Sequence, residues 1–299
     1  MSKVNIVLDM SQYDTFRLCE ARYNYRYNLN ISLPNKASQL DRGTLVHLAA
    51  ELYYDGLKNG SSYKDASVTA LSKIREAGVT TTELDPEDIA RVVDVMEEYF
   101  DYWQVADQNL RIKAVEQPFI YVLHEDDEVR IHLAGKIDLI YDDDKYTNLP
   151  LDHKSYDRDF EILRMNNQFR NYCCAVGSNY LVVNRIGFQK TLKPHEKFKR
   201  VPLSYDDIYL QQWKDNVIRS IMHYLQCAAE NQWPMNETSC DKYHRKCEYY
   251  QICDSSGIEA KNWKINSNYI TVDPWDVSKV LRKASEVLGE SNNVKASEG

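Results

Sequence analysis

Two aspartates and a lysine lie close together in a part of the chain that is rich in β-branched and aromatic residues. Asp152 and Lys154 are separated by one residue in PLDHKS, and a β-strand projects two such residues from the same face. Asp138 lies in the preceding apolar segment GKIDLI, which an antiparallel pairing would place opposite them. The sequence therefore predicts a site at which two carboxylates and one ammonium meet.

Such a site is suited to a hard divalent cation, Mg²⁺ or Mn²⁺, which takes oxygen ligands and keeps open positions for water and a phosphate oxygen. Asp138 and Asp152 are the candidate ligands, and the carbonyl of His153 is a further one. Lys154 could hold and help deprotonate the attacking water, or neutralise charge that develops on a phosphate. The alternatives are solvated strand ends or carboxylates that only pair with Lys136 and Lys154, because a single D-x-K carries little information.

The order of the motifs resembles the PD-(D/E)XK nuclease superfamily, as found in RecB-like and AddB-like nucleases and in the CRISPR-associated iron-sulfur exonucleases. In that family a strand acid and a D-x-K unit bind metal, the lysine is catalytic, and a following helix carries Q-x-x-x-Y. Asp138, Asp152 and Lys154 match the strand motifs, and Gln168 and Tyr172 match the helical one. The resemblance covers roughly residues 11 to 255 and implies a metal-dependent DNA nuclease.

The resemblance also implies a metal ligand upstream, in the helical segment GTLVH. His47 matches the family's histidine, although a histidine beside apolar helical residues is more often a core residue. Glu116 in AVEQPF is a weaker match to a strand glutamate and stays outside the predicted catalytic set. Gln168 and Tyr172 share a helical face, so they either contact Lys154 or DNA, or support the core.

Three of the seven cysteines, Cys240, Cys247 and Cys253, follow a C-x6-C-x5-C spacing that differs from the C-x2-C pairs of a zinc ribbon. By the same resemblance Cys19 is the distant fourth ligand, and the four thiolates would hold a [4Fe-4S] cluster that joins the two ends of the chain. Zn²⁺ at the same cysteines, or reduced cysteines in a packed core, are the alternatives. We expect the remaining Cys173, Cys174 and Cys227 to be core residues.

The elements that must position these residues alternate between helices and strands, which predicts an α/β fold with a restriction-endonuclease-like core and a mixed central sheet flanked by helices. A short helix that Ser11 can cap, followed by its exit, is expected over 11–27, with Cys19 near the end of the helix. Further helices are expected at about 40–56, 63–77, 86–107, 160–176, 204–231 and 275–288. Strands are expected over RIKAVEQPFIYVL, EVRIHLAGKIDLIYDD, TNLPLDHKS and about 179–190, followed by a basic loop.

The predicted organisation is an N-terminal part of an iron-sulfur region over 1–30 and a nuclease core over 31–232. The C-terminal part of the iron-sulfur region follows over 233–260, and a helix and polar tail occupy 261–299. No apolar run suits a membrane span and the N-terminus lacks a secretory pattern, so we expect no membrane association and a cytoplasmic location.

The net charge of −8 and pI near 5.5 argue against a protein that coats nucleic acid with its whole surface. Two local basic patches are candidates for DNA contact, unless they are ordinary solvated charge: Arg17, Arg22 and Arg26, and the set Arg185, Lys190, Lys193, Lys197, Lys199 and Arg200. Tyr23, Tyr25 and Tyr27 either stack on unpaired bases of single-stranded DNA or pack in the core.

The expected partners are DNA ends, single-stranded or duplex, and a helicase, recombination or CRISPR-adaptation protein, since the chain has no P-loop of its own. The alternative functions are a catalytically inactive DNA- or protein-binding module of the same fold and a zinc-stabilised interaction module.

Overall fold

The computed structural model describes residues 3–34, 42–80, 84–158, 161–242 and 245–282. The chain forms two compact units. Unit 1 comprises Met1–Ser38, Tyr121–Ala134 and Gln211–Lys279, and unit 2 comprises Gln39–Ile120, Gly135–Leu210 and Val280–Gly299. Unit 1 therefore contains segments from both terminal parts of the chain.

The described helices, in chain order, are α1 (Met10–Leu18), α2 (Glu20–Tyr23), a π-helix (Asn24–Asn28), α3 (Arg42–Lys58), α4 (Tyr63–Thr80), α5 (Pro86–Asp107), α6 (Asn167–Val176), α7 (Pro194–Lys197), α8 (Asp207–Glu230), a 3-10 turn (Glu237–Ser239), α9 (Tyr250–Cys253), α10 (Ile258–Asn268) and α11 (Val277–Val280). The described strands are β1 (Val4–Leu8), β2 (Ile31–Ser32), β3 (Arg111–Glu125), β4 (Val129–Asp142), β5 (Leu149–Tyr156), β6 (Tyr180–Gly187), β7 (Phe198–Ser204), β8 (Asp241–Lys242), β9 (Arg245–Lys246) and β10 (Ile270–Thr271).

A mixed sheet forms the centre of unit 2. The second half of β4 pairs antiparallel with β5, β5 pairs parallel with β6, and β6 pairs antiparallel with β7. Strand β3 also pairs with β4. The predicted α/β fold with a mixed central sheet is confirmed, and the expected antiparallel pairing of the GKIDLI and PLDHKS strands is present.

Helices cover both faces of this sheet because its strands are apolar on both sides. Val182 belongs to a large core that also contains buried residues of α3, α4 and α5. Its neighbours Leu181 and Val183 point to the other face, where they pack with Phe169 and Cys173 of α6. The alternation along β6 thus assigns the three long helices to one face and α6 to the other.

The predicted helix over 86–107 is confirmed at both ends. The Asp85 side chain accepts a 3.0 Å hydrogen bond from the backbone N–H of Glu87, and Pro86 occupies the first turn, where its missing N–H has no cost. The helices expected over 40–56 and 63–77 are also present. Leu40, which was expected on the first of them, lies outside the described residues.

Unit 1 contains β1, which pairs parallel with the first half of β4, and most of α8. Phe16 of α1, Tyr23 of α2 and Cys227 of α8 are buried together with the rings of Tyr224 and Trp233. Two short antiparallel pairs, β10 with β2 and β8 with β9, complete the described strands of this unit.

The short helix expected within 11–27 is present as α1, which ends at Leu18 with Cys19 as its C-cap. Asp9, not Ser11, caps α1 by accepting a 2.7 Å hydrogen bond from the N–H of Gln12. Cys19 is extended (φ −167°, ψ 121°), and the helical path resumes in α2 and the π-helix. The interruption turns the Cys19 side chain away from a regular helical face.

Three other boundaries differ from expectation. The basic loop is in part the short helix α7 and strand β7, whose lysines and arginine obscured the period-two pattern. Helix α6 begins only after Asn166, whose side chain accepts hydrogen bonds from the N–H groups of Gln168 and Phe169. Within 245–282, α10 was not expected and α11 spans only Val277–Val280; the rest of the helix expected over 275–288 lies outside the described residues.

Candidate active site

The antiparallel pairing of β4 and β5 brings the two predicted aspartates together. Leu139 pairs with Leu151, so Asp138 and Asp152 occupy the adjoining positions of the two strands. The Oδ2 atom of Asp138 accepts a 2.7 Å hydrogen bond from the backbone N–H of His153. Both carboxylates are buried, with 7% and 0% of the residue surface exposed for Asp138 and Asp152.

Lys154 is held between β5 and α6. Its Nζ atom lies 3.0 Å and 2.9 Å from the two oxygens of Asp152, and it donates a 2.9 Å hydrogen bond to Oε1 of Gln168. The amide of Gln168 donates to the hydroxyl of Tyr172 at 2.8 Å, and that hydroxyl donates to the carbonyl of Lys136 at 2.6 Å. Gln168 therefore contacts the lysine directly, and Tyr172 links Gln168 to the backbone of β4.

Helix α3 and strand β3 contribute two more candidate ligands. Nδ1 of His47 lies 3.5 Å from Oδ2 of Asp138 and 4.0 Å from Oε1 of Glu116. The ligand atoms of His47, Glu116 and Asp138 lie within 4.8 Å of one another. Glu116, only a weak match in the sequence, is thus part of this group of candidate ligands. Asp152 lies beside the group and is held by its ion pair with Lys154.

The backbone of Glu116 is in the left-handed region, with φ of 48°. The other described non-glycine residues with positive φ are asparagines, for which this conformation costs little. For a glutamate within a strand it costs of the order of 1 kcal/mol, and such strain clusters at functional sites. The conformation coincides with a buried side chain that meets Lys136 Nζ at 2.5 Å.

Burial makes the charged forms of these groups costly. It raises the pKa of Asp138 and of Asp152 to about 6, and the neighbouring Asp138 carboxylate adds to the rise for Asp152. Burial and then Asp138 also raise the pKa of Glu116, and burial lowers the pKa of His47. Each shift disfavours the charged form, and a bound divalent cation would reverse the cost for the carboxylates.

A buried polar network lies behind the site. Its members are Asp107, Arg200, Tyr54, Tyr99, Asn184 and His153. Arg200 lies 2.6 Å from Asp107, and the amide of Asn184 lies 2.7 Å from both the Tyr99 hydroxyl and Nδ1 of His153. Since the amide donates, Nδ1 accepts and the ring proton of a neutral His153 is on Nε2. Burial lowers the pKa of His153 well below its ordinary value.

This network accounts for part of one candidate DNA patch. Arg200 is bound to Asp107, and Lys197 lies 2.6 Å from Glu98. In the other patch Arg22 lies 3.0 Å from Glu248. At least three of the nine candidate basic residues therefore form ion pairs within the described part of the chain.

The three tyrosines and the three remaining cysteines are buried to different degrees. Tyr23 is 4% exposed and packs against other aromatic rings, whereas Tyr25 and Tyr27 are half-buried. Cys173 and Cys227 are buried as expected, but Cys174 is only half-buried.

The four cysteines predicted to bind a cluster all lie in unit 1. Cys19 is buried, and its Sγ accepts a 3.5 Å hydrogen bond from the backbone N–H of Asn236. The N–H of Cys247 donates to the carbonyl of Cys240 at 2.7 Å, and Cys253 ends the short helix α9. Burial, and then Cys19 and Cys247, raise the pKa of Cys253 to about 11, so these thiols interact electrostatically.

The PD-(D/E)XK nuclease superfamily model matches residues 8–254, and the chain belongs to this superfamily. Members of the superfamily are nucleases that use divalent metals, and the chain is accordingly a nuclease that binds nucleic acid. Within the described part of the chain, no helix is long and apolar enough to span a membrane.

Two solved structures are similar. A crystal structure of a provisionally named exonuclease from Eubacterium rectale is 12% identical, covers 91% of this chain and 92% of its own, and gives a TM-score of 0.41. The crystal structure of SSO0001 is 13% identical, covers 51% of this chain and 73% of its own, and gives a TM-score of 0.28. Among curated proteins, none matches the chain significantly.

Proposed function

We propose that this nuclease is a deoxyribonuclease that hydrolyses phosphodiesters with Mg²⁺ or Mn²⁺ and acts as an exonuclease on DNA ends. The observation that carries the proposal is the position of Lys154, which touches the buried Asp152 carboxylate on one side and Gln168 on the other. The RecB-like and AddB-like subtype remains a prediction from the sequence motifs.

The residues present fit a divalent metal. His47, Glu116 and Asp138 supply one imidazole and two carboxylates within 4.8 Å of each other, and Asp152 adds a third carboxylate beside them. We assign His47, Asp138, Asp152 and the carbonyl of His153 as ligands, as the motifs predict, and add Glu116. A metal bound there would supply Lewis acidity to a phosphate oxygen and to a water.

The side chains of unit 2 provide the remaining chemistry. Lys154 can donate from its ammonium to a phosphate oxygen, and as an amine it can accept a proton from the attacking water. Gln168 fixes the ammonium by accepting from it, and Tyr172 fixes Gln168 by accepting from its amide. The hydrogen bond from His153 N–H orients the Asp138 carboxylate. The site is thus arranged before substrate arrives.

We also propose that Cys19, Cys240, Cys247 and Cys253 hold a [4Fe-4S] cluster, with Zn²⁺ as the alternative. Four thiolates around one tetrahedral Zn²⁺ stand about 3.8 Å apart, given Zn–S bonds of about 2.3 Å. Among these four described cysteines, no three sulfurs lie within 4.8 Å of one another. A bound metal group would draw these thiolates together, and their mutual effect on the pKa of Cys253 supports a shared site.

Such an enzyme would act in the cytoplasm on single-stranded or duplex ends. Since the sequence carries no P-loop, unwinding would come from a helicase, recombination or CRISPR-adaptation partner.

The test uses anaerobically purified protein and DNA labelled at the 5′ or 3′ end, single-stranded or duplex, with Mg²⁺, Mn²⁺ or chelator. Progressive shortening from one end in the presence of metal is expected, and it would identify the polarity. DNA binding without cleavage under every condition would contradict the proposal and favour an inactive binding module. Iron and sulfide contents near four each per chain would support the cluster, and zinc alone would contradict it.

A further inference from the structure

Three side chains able to bind a metal meet in unit 1, and none of them is a ligand of the two sites described above. Nε2 of His223 on α8 lies 2.8 Å from Oε1 of Glu20 on α2. Sγ of Cys227, one turn further along α8, lies 3.7 Å from His223 Nε2 and 3.7 Å from Glu20 Oε2. From this cluster we propose a second metal site, for Zn²⁺ or a similar thiolate-binding divalent ion.

The spacing of the ligand atoms fits one tetrahedral ion. With Zn–S of about 2.3 Å and Zn–N or Zn–O of about 2.1 Å, tetrahedral angles place sulfur about 3.6 Å from nitrogen and from oxygen. Both Cys227 distances are 3.7 Å. The nitrogen and oxygen would separate from 2.8 Å to about 3.4 Å, a change that a rotation of the Glu20 carboxylate supplies.

The direction of the contacts separates a metal site from a nucleophilic triad. In a Cys-His-Glu triad the thiol approaches one ring nitrogen and the carboxylate binds the other. Here Glu20 and Cys227 both approach Nε2 of His223. If Nε2 donates to Glu20 it cannot also accept the thiol proton, and the thiol donates to Glu20 Oε2 instead, so these contacts do not form a triad. Three ligand atoms that converge in this way suit one ion.

The exposure of the ligands and the charges around them favour a metal ion that binds Cys227 as a thiolate. The side chains of His223 and Glu20 are 50% and 21% exposed and line a surface pocket of about 200 Å³, so an ion and a fourth ligand such as water can enter. Arg17 and Arg219 line the same pocket and oppose a cation. A thiolate and a carboxylate together offset the two charges of Zn²⁺, but Mg²⁺ would leave the thiol protonated and is excluded.

The test measures the metal content of the full chain. The protein is prepared anaerobically, and the four cysteines of the proposed cluster stay intact and carry their own metal. The variants are His223→Gln, whose side chain is half-exposed, and Cys227→Ser; Cys174→Ser is the matched helical cysteine control. After equilibration with Zn²⁺ and desalting, His223→Gln and Cys227→Ser are expected to retain one zinc fewer per chain than the parent and Cys174→Ser.

Co²⁺ gives a second readout, since its bond to a thiolate produces a near-ultraviolet charge-transfer absorption. This absorption is expected to fall in Cys227→Ser and to shift in His223→Gln. Equal zinc content and equal Co²⁺ spectra in the parent and His223→Gln would overturn the proposal. This comparison can be made even if Cys227→Ser fails to fold. Its outcome does not affect the assignment of the chain as a nuclease.

Discussion

Gln168 accepts a 2.9 Å hydrogen bond from the ammonium of Lys154, and through it helix α6 fixes the position of a side chain that belongs to strand β5. The lysine is also within 3.0 Å of both oxygens of Asp152. A carboxylate, an ammonium and an amide are thereby held in place by side chains of a strand and a helix, with no loop residue among them.

Gln168→Ala should lower the rate of DNA cleavage by about 10- to 100-fold, the usual effect of removing a group that positions a catalytic residue. KM for DNA should change little, because the amide contacts Lys154 and not the substrate. Single-turnover cleavage at saturating Mg²⁺ measures the effect, and the exposed Gln211→Ala of α8 is the control. A loss confined to KM would show that Gln168 binds DNA instead.

Glu116→Gln should weaken the apparent affinity for Mg²⁺ by about 10- to 100-fold, since a buried carboxylate leaves the ligand group while the shape is kept. A titration of cleavage rate against Mg²⁺ concentration measures the shift, with the exposed Glu128→Gln as the matched variant. An unchanged Mg²⁺ midpoint would mean that Glu116 serves only its ion pair with Lys136.

Asp138→Asn should stabilise the metal-free protein at alkaline pH. The folded-state pKa of Asp138 is raised from 3.8 to about 6, so its contribution to stability is complete below about pH 4 and is lost as the pH rises through 6. Above that range the neutral amide of the variant avoids a buried charge, a gain of the order of 1 to 3 kcal/mol. Urea unfolding with chelator at about pH 8 should show the gain, and at about pH 4 the difference should vanish. A variant less stable than the parent at both pH values would contradict this.

Asp107→Ala should destabilise unit 2 by about 3 to 5 kcal/mol, because it leaves the guanidinium of Arg200 buried without its partner. The two groups are 2.6 Å apart, and the Asp107 side chain is 0% exposed. Denaturant unfolding measures the loss, and Asp144→Ala at an exposed turn should have almost no effect. A loss below about 1 kcal/mol would show that water compensates Arg200.

The sequence was sufficient for the strand that carries Asp152 and Lys154, since the period of two and the neighbouring apolar segment predict both the strand and its antiparallel partner. It was also sufficient for the long helices, whose starts carry recognisable capping residues such as Asp85. These signals are local in the sequence, so they can be recognised without knowledge of the tertiary structure.

The residues that the sequence did not resolve depend on tertiary contacts. Glu116 joins the ligand group through a left-handed backbone conformation that no local pattern encodes. Strand β7 carries Arg200, whose charge is compensated only by Asp107 on α5, so a basic loop was the natural expectation. The approach of Glu20 to His223 joins residues about 200 positions apart, and the sequence suggested only a packed cysteine there.

Lys154→Met gives the most direct test of the proposed mechanism, because the substitution keeps an unbranched side chain of similar shape and removes the ammonium. Its single-turnover rate on end-labelled DNA with Mg²⁺ should fall by at least about 100-fold, as expected for loss of an acid-base group, while Lys145→Met at an exposed turn should keep the parental rate. DNA affinity should be nearly unchanged. A Lys154→Met rate equal to that of the parent would contradict the assignment of this site as the centre of hydrolysis.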